Sequence, residues 1–105
     1  MMMVSSSEKS IIHIEINGYD VYKDYTPPYS PYPTRTLKET GNSARIWSEN
    51  VDYCALSGPL ETGETNKLDP CSGTAQLSGE SGTFVVRGYK YNSAPAAYFE
   101  VNLKK

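Results

Sequence analysis

Apolar and polar residues alternate along most of this chain with a period of two, and that periodicity predicts strands rather than helices. Residues 11–16 read Ile11-Ile12-His13-Ile14-Glu15-Ile16, which places Ile12, Ile14 and Ile16 on one face. Asn17-Gly18 follows, two residues that tolerate positive φ in a type I′ turn, and Tyr19 to Lys23 returns as the partner strand. Pairing across that turn sets Ile16 against Tyr19 and Ile14 against Val21 on the buried side. Glu15 then opposes Asp20 and His13 opposes Tyr22 on the outer side.

Four prolines in the eight residues Thr26 to Pro33 exclude helix and central strand and leave an extended loop. Thr34 to Glu39 reads as a further strand. Ser43 to Glu49 alternates again, with Ala44 and Ile46 opposing Arg45, Trp47 and Glu49. Val51 to Ser57 makes another short strand, and residues 58–73 form the longest irregular stretch. Thr74 to Ser78 and Thr83 to Tyr91 read as a hairpin about Gly79-Glu80-Ser81-Gly82. Ala96 to Leu103 closes the pattern, with Ala97, Phe99, Val101 and Leu103 on one side and Tyr98, Glu100 and Asn102 on the other. The expected fold is all-β: a small antiparallel β-sandwich, or a partly open barrel, of seven or eight short strands. Residues 1–9 read as a flexible leader and 10–105 as one domain.

Composition changes the picture in one respect. Nine of the twelve aromatic residues are tyrosines. A core needs only the ring, so an excess of hydroxyl-bearing rings points to half-buried or binding surfaces. Ile, Leu, Val and Phe number 19 of 105 residues, a small apolar complement that tyrosine supplements. The net charge of −2 gives no basic surface for phosphate contacts, which argues against nucleic acid as partner. No segment approaches the length of apolar residues needed for a transmembrane helix, and the beginning of the chain has no signal-peptide pattern.

Candidate chemistry is sparse. His13 is the only histidine, so any Ser-His or Cys-His mechanism must run through it, and no nucleophile elbow or phosphate-binding loop accompanies it. The sequence therefore reads as non-enzymatic and without cofactor. His13, Glu15 and Asp20 form a weak candidate for a divalent cation; the alternative is a solvated outer face relieved by Lys9 or Lys23. Cys54 and Cys71 are too few for a zinc site and are either a disulfide across the intervening loop or two separate thiols. A disulfide would favour a secreted or cell-surface protein.

Trp47 carries two readings. It is either the core tryptophan of a sandwich, or an outward ring beside Arg45 and Glu49 that suits stacking on the apolar face of a sugar. In the second reading Trp47, Tyr22 and Tyr98 stack, while Arg45, Glu49 and Asn102 orient the ligand. Tyr19 and Tyr53 are expected in the interior or at its rim. Pro28, Tyr29 and Tyr32 make an interaction loop, or else stack on each other to cap the sandwich. The leading expectation is a lectin-like module for carbohydrate or glycoconjugate. A protein-interaction protein (effector, inhibitor or assembly component) using strand edges and the Pro-Tyr loop is the alternative, with homo-oligomers through those edges as a variant. A membrane-active, toxin-like sandwich stands third.

Overall fold

The computed structural model describes residues 9–62 and 65–105. The expected leader therefore lies, apart from Lys9, outside the described residues. Nine strands are present in chain order: β1 (Ile11–Ile16), β2 (Tyr19–Tyr25), β3 (Thr34–Leu37), β4 (Ser43–Glu49), β5 (Tyr53–Ser57), β6 (Asn66–Leu68), β7 (Gly73–Gln76), β8 (Gly82–Tyr89) and β9 (Pro95–Leu103). They form a four-stranded sheet, β2-β1-β4-β7, and a five-stranded sheet, β3-β9-β8-β5-β6. No helix occurs among the described residues, so none is long and apolar enough to cross a membrane.

The alternating positions do what their pattern predicts. Ile12, Ile14 and Ile16 of β1 and Ala44 and Ile46 of β4 face inward, and Cys54, Leu56, Phe84, Val86, Phe99, Val101 and Leu103 face them from the other sheet. β1, β4, β5, β8 and β9 each bury one face and leave the other more exposed, as two packed layers require. Cys54 and Cys71 form a disulfide with Cα atoms 5.0 Å apart. It ties β5 in one sheet to the segment that leads into β7 in the other, and both sulfur-bearing residues are buried.

The structure departs from the sequence reading in four places. The β1–β2 hairpin turns at Asn17-Gly18 with φ of 52° and 85°, but a bulge shifts its register after Glu15–Asp20, so Ile14 pairs with Tyr22 and His13 with Lys23. A bulge sends two successive residues of one strand toward the same side. Val21 is buried, and Tyr22, expected outside, turns its ring onto Phe99. Second, β7 and β8 are not a hairpin. β7 pairs with β4, and β8 pairs with β5 and β9, so residues 77–81 cross between sheets. That crossing buries Leu77, whose N–H bonds the carbonyl of Asn42 at 2.9 Å. Third, β3 runs parallel to β9. Fourth, the irregular 58–73 stretch contains β6, which adds an edge to β5.

The Pro-Tyr loop carries the chain from β2 in one sheet to β3 in the other. Its first residue, Thr26, is fully buried. The Thr26 N–H and hydroxyl both donate to the Ser10 carbonyl at 3.1 Å, and its own carbonyl accepts from the Tyr98 N–H at 3.3 Å. A loop pinned at its root in this way lies back across the five-stranded sheet.

Candidate functional site

The sequence-predicted site does not assemble as one patch. Trp47 projects from the outer face of the four-stranded sheet, whereas Tyr98 and Asn102 lie on the outer face of the five-stranded sheet, on the opposite side of the sandwich. Tyr22 belongs to neither face. Its ring stacks on the buried Phe99 at 4.3 Å between centroids, and its hydroxyl donates to the Tyr25 carbonyl at 3.0 Å. Burial and the neighbouring Asp24 carboxylate raise the Tyr22 pKa, while Arg35 lowers it. Tyr19 and Tyr53 are also not interior residues. Tyr19, beside the turn on an edge strand, is 70% exposed, and Tyr53 alternates outward from buried Cys54.

On the four-stranded sheet Trp47 is an outer-face residue, not a core one. It is already engaged. The His13 ring lies parallel to it at 4.9 Å, and the Arg45 guanidinium sits 4.6 Å from its centroid. Glu49 holds His13 Nε2 at 2.7 Å, and Glu15 lies 3.8 Å from Arg45. Asp20 pairs with Lys23 at 3.7 Å. The three cation-site candidates thus turn to three different partners, and among the described residues no group of three or more metal-ligating side chains converges.

The five-stranded sheet offers something different. Outward positions of β5, β8 and β9 bring Tyr53, Tyr89, Arg87 and Tyr98 to one face, and the Pro-Tyr loop adds Tyr32 from above. Tyr53 and Tyr89 are cross-strand partners with rings 5.3 Å apart, and Tyr91 stacks on Tyr53 at 6.1 Å. At the other end Tyr32 meets Tyr98 at 4.1 Å. Between the two groups opens a cleft of about 280 Å³, walled by Pro28 and Tyr32 on the loop side, Arg87 and Tyr89 on β8, and Pro95 and Tyr98 on β9. Buried Gly88 lies at its base, where an added Cβ would stand 2.7 Å from Val51 Cγ1, so no side chain fits there.

Polar groups are set around these rings. Arg87 lies 5.3 Å from the Tyr98 centroid and Lys67 lies 4.7 Å from that of Tyr53. Five cation–ring contacts occur among the described residues, where one or two are expected for about this length, and two of them, Arg87–Tyr98 and Lys67–Tyr53, lie on this face. The Tyr98 hydroxyl donates to Glu100 at 2.5 Å, and that of Tyr91 to Asp69 at 3.0 Å. These hydrogen bonds, with the charge of the accepting carboxylates, raise both phenol pKa values; Arg87 acts against the rise at Tyr98. Both hydroxyls therefore stay protonated near neutrality. Asn102, by contrast, accepts from the Thr83 hydroxyl at 2.8 Å and reaches Thr36 at 3.4 Å, away from the cleft.

Arg87, Tyr89 and the outward side of Tyr53 were the missed members. Their signal was present, because β8 alternates Phe84, Val86 and Gly88 against Val85, Arg87 and Tyr89. What the sequence could not supply was the neighbour relation among β5, β8 and β9. Of the predicted interaction loop, Pro28 and Tyr32 wall the cleft, while Tyr29 stays exposed with its hydroxyl 3.3 Å from that of Tyr25. The class these features define is a β-sandwich with a tyrosine-walled cleft on one outer face. No family model, curated protein or solved structure matches this chain.

Proposed function

We propose that this protein is a non-enzymatic binding module that holds carbohydrate or a glycoconjugate in the tyrosine cleft of its five-stranded sheet. The observation that carries this reading is the cleft itself, where three tyrosine rings, a guanidinium and two prolines surround about 280 Å³ of space. That volume is at the low end for ligand sites and suits one sugar ring rather than a large cofactor. Tyr89 offers an apolar ring for the C–H face of a pyranose, Tyr98 under Tyr32 closes the opposite wall, and Arg87 stands between them to meet hydroxyls. The sheet fixes these groups with little freedom left to lose, which favours binding. The sole histidine is held between Trp47 and Glu49 on the opposite face, away from this cleft.

Affinity should be weak. A pyranose has roughly a dozen heavy atoms, and about 0.3 kcal/mol per atom corresponds to a Kd on the order of millimolar. The test is a glycan array followed by calorimetric titration of any hit at millimolar sugar. Binding that is lost in Tyr98→Ala and kept in Trp47→Phe supports the reading. Binding that follows Trp47 instead, or no binding across the array, refutes it.

A further inference from the structure

Resting on the carbohydrate reading above, we infer that the cleft selects an acidic sugar, a uronic-acid unit whose carboxylate meets Arg87. The distribution of charge on this face carries the inference. Along one row of the sheet, Lys67, Ala55, Arg87 and Tyr98 are successive cross-strand neighbours. The small Ala55 leaves the two cations flanking a gap of about 10 Å between backbones, two strand spacings. Lys67 turns to Asp69 and to the Tyr53 ring, so Arg87 is the cation of this row that has no carboxylate partner among the described residues.

The acidic groups on this face are already occupied. Glu100 accepts from the Tyr98 hydroxyl, and Asp69 accepts from Tyr91 and lies 4.0 Å from Lys67. Arg87 has no such partner: no carboxylate among the described residues lies within 4.0 Å of it. It is exposed at the wall of the cleft, its guanidinium 5.3 Å from the Tyr98 centroid. A planar fork of donors at the wall of the cleft can bind a carboxylate in bidentate fashion while the sugar ring packs on the neighbouring Tyr89 phenol. The chain as a whole carries net charge −2, so this cationic spot is a local feature and not a general surface charge.

The test compares oligosaccharides of galacturonate and of glucuronate with their methyl esters, which keep the ring and remove the charge. At physiological salt the acids should bind about tenfold or more tightly than the esters, the scale of a charge-assisted bidentate pair. Arg87→Gln should bring the acids down to the affinity of their esters, and Arg87→Lys should keep part of the preference. Arg45→Gln, on the other sheet, should leave the preference unchanged, and circular dichroism should show all three variants folded. Equal binding of acid and ester, or a preference that survives Arg87→Gln, overturns the acidic-sugar inference and leaves the carbohydrate reading standing. If no member of the panel binds, the acidic-sugar inference falls, and the glycan array alone decides the carbohydrate reading.

Discussion

The cleft exists only if the Pro-Tyr loop is docked, and the tilted ring contact of Tyr32 with Tyr98 docks its far end. Tyr32 is 42% exposed, so more than half its surface is covered. Truncation to alanine removes roughly 100 Å² of that contact, worth at most about 2.5 kcal/mol at 25 cal/mol per Å². Part of this belongs to the pair itself. Rings 4.1 Å apart and tilted by 37° are a little closer than the roughly 4.5–7 Å typical of aromatic pairs, which contribute about 0.5–1.5 kcal/mol beyond burial. A double-mutant cycle separates that share. Urea unfolding of the wild type, Tyr32→Ala, Tyr98→Ala and the double variant should give a coupling energy of about 1 kcal/mol at unchanged m-value. Tyr98→Phe, which removes the hydrogen bond to Glu100 and keeps the ring, should preserve the coupling. Additivity within about 0.3 kcal/mol would refute the docked loop.

Three further outcomes follow from the packing and the titrating groups. Breaking the disulfide by Cys54→Ala with Cys71→Ala should cost about 3 kcal/mol, for a separation of 17 residues, and lower the Tm by roughly 10–20 °C in calorimetry; an unchanged Tm would contradict a bridge between the sheets. Gly58 has φ of 115°, and a Cβ there would collide with the Thr83 carbonyl oxygen, so Gly58→Ala should destabilise by about 3 kcal/mol in urea melts, whereas Gly18→Ala meets open space and pays only for its own φ. Tyr22, Tyr25, Tyr91 and Tyr98 all have raised pKa values in the folded state. The native state then holds protons that the unfolded chain has released, so the stability they confer is complete below about pH 10 and falls as pH rises through the folded-state values. Urea melts across the alkaline range should show that decline; stability that rises there would reverse the assignment.

How much of this was legible before the structure depends on the distance over which each feature is decided. Local patterns sufficed for the all-β class, for the buried faces of β1, β4 and β9, and for the Asn17-Gly18 turn, since each is set by residues within a few positions of one another. Alternation with Ala44 and Ile46 pointed Trp47 outward but left open the reading of it as the core tryptophan. The register did not survive the bulge at Val21, because nothing local to Tyr19–Tyr25 announces an extra residue. Tyr22 was misplaced for that reason. The apparent β7–β8 hairpin failed because Leu77 is buried in the core beyond β7, a tertiary demand that outweighs a short glycine-bounded connection. The site was the least legible part. Tyr98 and Tyr32 were recognised separately, yet their meeting depends on the buried Thr26, bonded to Ser10 and Tyr98, which no periodicity encodes.

If the protein binds glycan as proposed, recognition takes place on the five-stranded sheet and not around Trp47. Amide chemical-shift mapping of nitrogen-labelled protein, titrated with the best-bound glycan, tests it most directly. Shifts should be confined to Tyr32, Arg87, Gly88, Tyr89, Ala97 and Tyr98, with β1 and β4 silent. Shifts centred on His13, Arg45 and Trp47 would contradict it.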